Sequence, residues 1–179
     1  MEMKCSNLCP PPHNFHPARD VSWAKFIKTP AFASKSPKLR GARAEGIRYE
    51  KKVHRYIKET FPDLHINAPW LEFRAKFARR SKICQPDALI INPRLGTITV
   101  IEIKLQHTSN AWWQVRRLYT PVVEKIFGNS WKYLALEVVH WFDPHTKFPE
   151  HCEFINSLEE LHLLAPGKFY IHIYSGRGL

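Results

Sequence analysis

The chain has few cysteines and no long apolar run. Its four cysteines, Cys5, Cys9, Cys84 and Cys152, are scattered over 179 residues. That spacing, in a chain of this length, argues against a small secreted fold held together by disulfides. No apolar stretch approaches the roughly 20 residues of a membrane-spanning helix, and the first residues lack the apolar core of a secretion signal. We therefore expect a reduced, intracellular protein, located in the cytoplasm, without a membrane partner.

Acidic residues are also in short supply. The sequence has 16 Asp and Glu residues against 27 Lys and Arg residues, which gives a formal net charge of +11. Such an excess favours polyanionic partners, with nucleic acid first and anionic membrane second. Hydrophobic residues make up 44% of the chain and aromatic residues 13%. This composition and length predict one folded domain with a genuine core.

The first 41 residues differ from the rest because they hold six of the 14 prolines and end in a basic stretch. We expect a proline-rich basic N-terminal arm over residues 1–41, in which the apolar patch 21–27 docks on the body. The domain itself would span residues 42–179. The arm also contains a set of zinc-binding residue types, Cys5, Cys9, His13 and His16. Their spacing lacks the long gap between ligand pairs of a zinc finger, so a proline-rich tail is the simpler interpretation.

Hydrophobic periodicity predicts an α/β order in the rest of the chain. A helix is predicted over 42–60 from apolar or small residues at three- and four-residue steps, and Glu50 falls on its apolar side. Three strands are then predicted, over 71–77, 87–91 and 97–105. The remaining predicted elements are a helix over 110–127, a strand over 131–142, a short helix over 157–164 and a strand over 169–174.

Chemically active residues are concentrated in two of these strands. Asp87 opens one strand, and Glu102 and Lys104 lie two residues apart in the next. Residues two apart in a strand point to the same face, and a hairpin would bring Asp87 beside them. Two carboxylates and an ammonium group can hold a divalent cation and a water molecule, which suits phosphodiester hydrolysis. A carboxylate on an apolar helix face is costly without a partner, so Glu50 would complete the metal shell directly or through water.

Each of these residues also has a structural alternative. Asp87 could cap a strand, and Glu50 could be exposed if the helix is rotated. Glu102 and Lys104 could form an ordinary surface ion pair. Their joint occurrence, in order and on matching elements, favours a catalytic site.

The motif Pro86-Asp87, followed by Glu102-Ile103-Lys104 and preceded by Glu50 on a helix, resembles the PD-(D/E)XK nuclease superfamily over about residues 42–142. The resemblance implies an α/β fold with a restriction-endonuclease-like αβββαβ core, in which helices flank a central mixed β-sheet. It also implies a nuclease that depends on Mg²⁺ or Mn²⁺. Asp87 and Glu102 would be metal ligands, Lys104 the catalytic lysine and Glu50 the helix acid. The carbonyl of Ile103 could add a neutral oxygen ligand.

RecB-like branches of this superfamily carry a Gln-x-x-x-Tyr element on the next helix. Here Gln114 and Tyr119 are one residue further apart than that element requires. Gln114 is therefore a candidate site residue, and the branch is left open.

A basic cluster lies just before the motif and comprises Arg74, Lys76, Arg79, Arg80 and Lys82. It would contact phosphates near the cleavage site, although a solvated hairpin tip is the alternative. A second candidate surface is on the following helix, where Trp112 and Trp113 precede Arg116 and Arg117. Adjacent tryptophans cannot face the same way, so one should lie in the core and the other at a groove or an interface.

These observations predict a metal-dependent DNA nuclease, with an endonuclease favoured. A restriction-like or junction-resolving enzyme would be a homodimer, because one small domain carries one active site. A DNA exonuclease would be a monomer or a ring. The alternatives that the sequence leaves open are an exonuclease, an RNA-processing nuclease and a non-catalytic nucleic-acid-binding module.

Overall fold

The computed structural model describes residues 14–34, 41–106, 108–141, 152–155 and 170–174. The strands in these ranges are β1 (Val21–Ile27), β2 (His65–Asn67), β3 (Trp70–Ala75), β4 (Lys82–Cys84), β5 (Ala88–Asn92), β6 (Thr97–Gln106), β7 (Lys132–Trp141), β8 (Cys152–Ile155) and β9 (Tyr170–Tyr174). The helices are α1 (Ala42–Thr60), α2 (Ser109–Gln114) and α3 (Thr120–Phe127), with a π-helical segment (Val115–Tyr119) between α2 and α3 and a short 3₁₀ turn at Ala31–Ser34.

Some predictions lie outside the described residues. They are the zinc interpretation of Cys5, Cys9 and His13, most of the proline-rich arm, and the short helix over 157–164. The apolar patch of the arm is described, and it forms β1. Strand β1 pairs antiparallel with β3, from Val21 opposite Ala75 to Ile27 opposite Trp70. The patch therefore docks on the body as predicted, and the domain boundary after residue 41 stays a prediction.

The described strands form two sheets. The large sheet has the order β2-β5-β6-β7-β9-β8, and the small sheet has the order β1-β3-β4. In the large sheet β6 and β7 are parallel, whereas the other neighbouring pairs are antiparallel. This confirms an α/β fold with a mixed sheet. The parallel pair requires a crossover, and the helical stretch from α2 to α3 supplies it.

One predicted strand lies in a different sheet from the one expected. The strand predicted over 71–77 is β3, and it belongs to the small sheet instead of joining β5 and β6. The neighbour of β5 is β2, a strand of three residues. The chain leaves the large sheet at Ala68, whose φ of +41° turns the backbone between β2 and β3. Alternating polarity indicates that β3 is half-buried, but it does not identify the partner strand.

Helix α1 has the predicted bounds and packs on one face of the large sheet. Its buried residues are Tyr49, Val53 and Ile57, which are spaced four residues apart. They contact a cluster of apolar strand residues, namely Ala88, Ile90, Ile101, Ile103, Leu136 and Val138. The predicted stripe was right for Val53 and Ile57. Glu50 lies beside the stripe instead of on it, and its side chain is 38% exposed.

The opposite face of the large sheet packs against the α2–α3 stretch and the small sheet. The helical contribution is Trp112, Val115, Tyr119, Val122 and Val123, and the small sheet adds Leu71, Phe73 and Cys84. Strand β6 is therefore covered on both faces, as its continuous apolar sequence predicts. A polar side chain on β6 that points toward α2 and α3 is held inside the protein.

The packing of α1 is testable with one substitution. Ile57 is fully buried, so Ile57→Ala should lower the free energy of unfolding by about 2–5 kcal/mol through lost contacts and a residual cavity. The matched control is Lys51→Ala on the exposed side of the same helix, which should change it by less than about 0.5 kcal/mol. Urea unfolding followed by circular dichroism measures both, and equal effects would contradict this packing.

Candidate active site

The β5–β6 hairpin places Asp87 against the middle of β6. Ala88 pairs with Ile101 in the antiparallel register, which sets Asp87 opposite Glu102. The backbone N–H of Asp87 donates to the carbonyl of Ile101 at 3.1 Å. Its carboxylate Oδ2 accepts a hydrogen bond from the N–H of Ile103 at 2.6 Å. The carboxylate is therefore fixed by the backbone of the strand that carries the other motif residues.

Glu102 and Lys104 project from the same face of β6, as their two-residue spacing predicts. The Nζ of Lys104 donates a short hydrogen bond to Oε1 of Glu102. Glu102 is only 2% exposed, so this is not the ordinary surface ion pair of the alternative interpretation. Its second oxygen, Oε2, is buried and has no hydrogen-bond partner among the described residues. A buried carboxylate oxygen without a partner is destabilising, and a coordinated cation would offset that cost.

A further acid, which the sequence analysis missed, belongs to the same region. Glu137 on β7 lies in register with Glu102 on the parallel neighbour β6, so both side chains point to the same face of the sheet. Glu137 is fully buried. Its negative charge is one of the causes that raise the pKa of Glu102. The available signal was a single glutamate inside the apolar run of β7, the same kind of signal that singled out Glu102.

Burial controls the electrostatics of these groups. Burial is the largest cause of the raised pKa of Asp87, and the charge of Glu50 adds to it. Burial also raises the pKa of Glu102, followed by the charges of Asp87 and Glu137. The ammonium group of Lys104 opposes both shifts without cancelling them. The site thus carries more negative charge than its protein surroundings stabilise, and a divalent cation would offset this excess.

Burial acts on the pKa of Lys104 in the opposite sense to its effect on the carboxyl groups. Burial by itself would lower the pKa of Lys104, but Glu102 and then Asp87 more than compensate and leave it raised. Lys104 therefore stays protonated at neutral pH. Its ammonium group is anchored by Glu102 and available as a fixed positive charge.

The donor set fits a hard cation that retains part of its water shell. Within the described ranges, no three His, Cys, Asp or Glu side chains are grouped closely enough to hold an ion. A cation would therefore take two side-chain ligands, Asp87 and Glu102, with the carbonyl of Ile103 as the expected third oxygen. Oε2 of Glu102, which has no hydrogen-bond partner in the part of the chain that the structure describes, is available to coordinate it. Mg²⁺ commonly binds through one or two carboxylates and keeps several waters.

Glu50 lies near the motif residues, but its side chain is 38% exposed, whereas Glu102 and Glu137 are buried. Its carboxylate Oε1 is 3.6 Å from Nε2 of His54, one turn further along α1. It is close enough to Asp87 to raise the pKa of that group, whereas His54 lowers it. This position suits a contact with a bound metal ion through water better than direct coordination of the ion.

The π-helical segment resolves the spacing of Gln114 and Tyr119. Gln114 Nε2 donates a hydrogen bond to the Tyr119 hydroxyl at 3.2 Å, although residues five apart in an α-helix do not face each other. In the π-helical turn, the N–H of Thr120 bonds to the carbonyl of Val115, five residues back. The extra residue is accommodated in this turn, so the Gln114 amide and the Tyr119 hydroxyl meet across a spacing of five residues. The charges of Glu102 and Asp87 add to burial in raising the pKa of Tyr119, which places this pair beside the carboxyl groups.

The predicted nucleic-acid contacts lie on two other surfaces. All members of the basic cluster are exposed, and they occupy the β3–β4 hairpin of the small sheet. Arg74 lies over the ring of Trp23, with Cζ 5.9 Å from the ring centre. The hairpin continues through Gln85 and Pro86 directly into Asp87. Exposure of this kind fits both a phosphate-binding surface and a solvated hairpin.

The two adjacent tryptophans separate as expected, and the structure shows which one is in the core. Trp112 is buried, whereas Trp113 lines an open groove of about 890 Å³ together with Arg19, Arg116 and Arg117. None of the groove's lining residues belongs to the carboxylate site. The groove and the site are therefore distinct features of the molecule.

Comparison of the chain with protein-family models, curated proteins and solved structures found no match. The function therefore has to be inferred from the geometry of the site. None of the described helices combines the length and the apolar character needed to cross a bilayer.

The raised carboxyl pKa values predict how stability depends on pH. A carboxyl group whose pKa is higher in the folded state binds protons preferentially when folded. Its stabilisation is complete below the unfolded pKa of about 4 and is lost as pH rises through the raised value. In chelator, the free energy of unfolding should therefore fall between about pH 5 and pH 8.

Glu102→Gln removes one of these groups, so the total fall in the free energy of unfolding over this pH range should be smaller by about 1–2 kcal/mol. The exposed Glu59→Gln on α1 is the control and should leave the slope unchanged. Urea unfolding at several pH values measures the slope. If the free energy of unfolding depends on pH in the same way for the native chain and Glu102→Gln, a buried glutamate with a raised pKa at this site is contradicted.

Proposed function

We propose that the chain is a metal-dependent nuclease of the PD-(D/E)XK type that hydrolyses phosphodiester bonds in DNA, as an endonuclease. The observation that supports this most strongly is the meeting of Asp87, Glu102 and Lys104 on one sheet face. There the carboxylate of Glu102 is buried and one of its oxygens lacks a hydrogen-bond partner within the described chain.

The element order supports a restriction-endonuclease-like core. Leaving the small sheet aside, the order is α1, β2, β5, β6, the α2–α3 stretch and β7, which is an αβββαβ sequence. Three antiparallel strands precede a crossover to a parallel one. In this interpretation β3 and β4 are an insertion between the first two core strands.

Asp87 and Glu102 would hold Mg²⁺ or Mn²⁺ with the carbonyl of Ile103, and Glu50 would contribute through water. When bound, the ion supplies positive charge to the scissile phosphate and lowers the pKa of water. Asp87 is held in place by the N–H of Ile103. The ligand geometry therefore depends on the backbone of β6 and not on a mobile loop.

Lys104 supplies the fixed positive charge of the site. Glu102 anchors its ammonium group, which would orient the attacking water and stabilise the charge that develops on the phosphate oxygens. Water would lose a proton as it attacks phosphorus, the bond from phosphorus to the leaving sugar oxygen would break, and that oxygen would take up a proton from solvent. Gln114 acts through the Tyr119 hydroxyl, which would hold the buried wall of the site in position.

The partner in this proposal is DNA. The basic cluster would bind phosphates on one side of the site, and Arg116 and Arg117 would bind them at the groove. The net charge of +11 supports a polyanionic substrate. Cleavage of both strands would be performed by a homodimer, and the location would be cytoplasmic, associated with nucleic acid.

Two other candidates remain distinguishable from this one. An exonuclease shares the chemistry but requires an end, so it would spare circular DNA. A non-catalytic binding module would carry the buried carboxyl groups at a cost to stability and with no use for them. The burial of Glu102 therefore favours an enzyme.

The catalytic roles are testable on supercoiled and linear plasmid DNA. With Mg²⁺, Asp87→Asn should abolish cutting through loss of a metal ligand, and Lys104→Ala should slow it by about 10²–10³-fold. The matched controls are Asp63→Asn and Lys132→Ala, both exposed, which should cut normally. Gel electrophoresis measures the rates. Cutting that survives chelator or Asp87→Asn would contradict the proposal, and linear-only cutting would identify an exonuclease.

The basic cluster should contribute to binding through counterion release. Removing two phosphate contacts with the double variant Arg79→Ala and Arg80→Ala should reduce the slope of log affinity against log salt by about 2. Arg94→Ala is the control, because this exposed arginine follows β5 at the end opposite to Asp87. Fluorescence anisotropy in chelator measures the slopes without cleavage. An unchanged slope would support the solvated-hairpin interpretation.

A further inference from the structure

The tip of the β3–β4 hairpin exposes a large aromatic side chain. Phe77 is 87% exposed, more than any other large hydrophobic residue of the described chain. Residues 76–82 around it include Lys76, Arg79, Arg80 and Lys82, and none is acidic. A lone exposed hydrophobic residue is common, but an exposed aromatic ring with four cations within five residues of it in the sequence is suited to a ligand that is both flat and anionic.

The base of this hairpin is held in place, so the ring is presented from a fixed position. The N–H of Lys76 donates to the carbonyl of Asp20 at 2.8 Å, and the Ser81 hydroxyl donates to Glu72 at 2.6 Å. The ammonium group of Lys76 lies 5.6 Å from the centre of the Phe77 ring. A cation over one face of a ring is attracted to it, and with 87% of Phe77 exposed the other face is open to a ligand.

The hairpin is also tied to the carboxylate site. Strand β4 ends at Cys84, and Gln85 donates a hydrogen bond to the carbonyl of Ala68 at 2.9 Å immediately before Asp87. Asp87 lies ten positions after Phe77, so the two are at most about 35 Å apart. One strand of duplex DNA advances about 3.4 Å per nucleotide, so a base held at Phe77 would lie within about ten nucleotides of the cut.

We propose that the β3–β4 hairpin tip is a base-stacking finger. Phe77 stacks on an unpaired nucleobase, and Arg79 and Arg80 bind the phosphates that flank it. The inference rests on the proposed function and adds the substrate class, which is DNA whose duplex adjoins unpaired nucleotides. The reason is geometric, because aromatic stacking needs an open base face, and a paired base within a duplex is covered on both faces by its neighbours.

An anionic membrane surface has a related chemistry, since a basic hairpin with an aromatic tip can enter the headgroup region. Nucleic acid is favoured on two grounds. The tip carries a single large apolar side chain, a small area for insertion into lipid, and the hairpin runs directly into the strand of Asp87. Binding to lipid is therefore an outcome that the experiment has to detect.

The test compares the full chain with Phe77→Ala in chelator, where binding is separated from cutting. One labelled DNA is a duplex with a single-stranded overhang, and the other is a blunt duplex with the same paired region. Phe77→Ala should weaken overhang binding by about 5–150-fold and leave blunt binding unchanged. Phe77→Trp should retain overhang binding. Leu95→Ala, a comparably exposed apolar residue in another turn, is the control and should change neither.

A fluorescent base analogue at the first unpaired position reports stacking directly. Its emission should be quenched by the native chain and not by Phe77→Ala.

Equal affinities of the native chain and Phe77→Ala for the overhang DNA would overturn the proposal. So would loss of binding to phosphatidylserine vesicles in Phe77→Ala without an effect on DNA. If Phe77→Ala weakens overhang binding but Mg²⁺ supports no cutting, the nuclease proposal fails and the finger stands. If cutting occurs and binding is unaffected, the finger fails alone.

Discussion

One buried and one half-buried carboxyl group share the ammonium group of a single lysine in this fold. This excess of acidic over basic groups is the constraint on which the site depends. Burial raises the pKa of both Asp87 and Glu102, and Glu137 adds negative charge beside Glu102. Lys104 stabilises both without cancelling the effect of burial. A chain that buries this group of charges in its largest sheet gives up stability there, and a bound cation would recover it.

The structure separates chemistry from recognition. The carboxyl groups and Lys104 lie on rigid strands of the large sheet, held by backbone hydrogen bonds. The exposed basic cluster lies on the small sheet and its hairpin. The hairpin leads into the site through the short segment from Cys84 to Asp87, and the small sheet packs against the large one. A ligand held by the hairpin would therefore be positioned against the site with little freedom.

The sequence predicted the elements that have strong patterns. The bounds of α1, the β5–β6 hairpin and the common face of Glu102 and Lys104 follow from periodicity together with Pro62 and the turn residues 92–96. It missed β2, because three residues are too short for a pattern to show, and the small sheet, because alternation does not name a partner strand. Glu137 was missed because no motif marks it. The π-helical turn was missed because an inserted residue looks like a spacing error until the backbone absorbs it.

A crystal soaked in Mn²⁺ tests the central claim most directly, through anomalous scattering at the manganese absorption edge. We expect one strong anomalous peak between the carboxylates of Asp87 and Glu102, absent from crystals of Asp87→Asn. No peak at this position, or an equal peak in the variant, would contradict a cation site built on these residues.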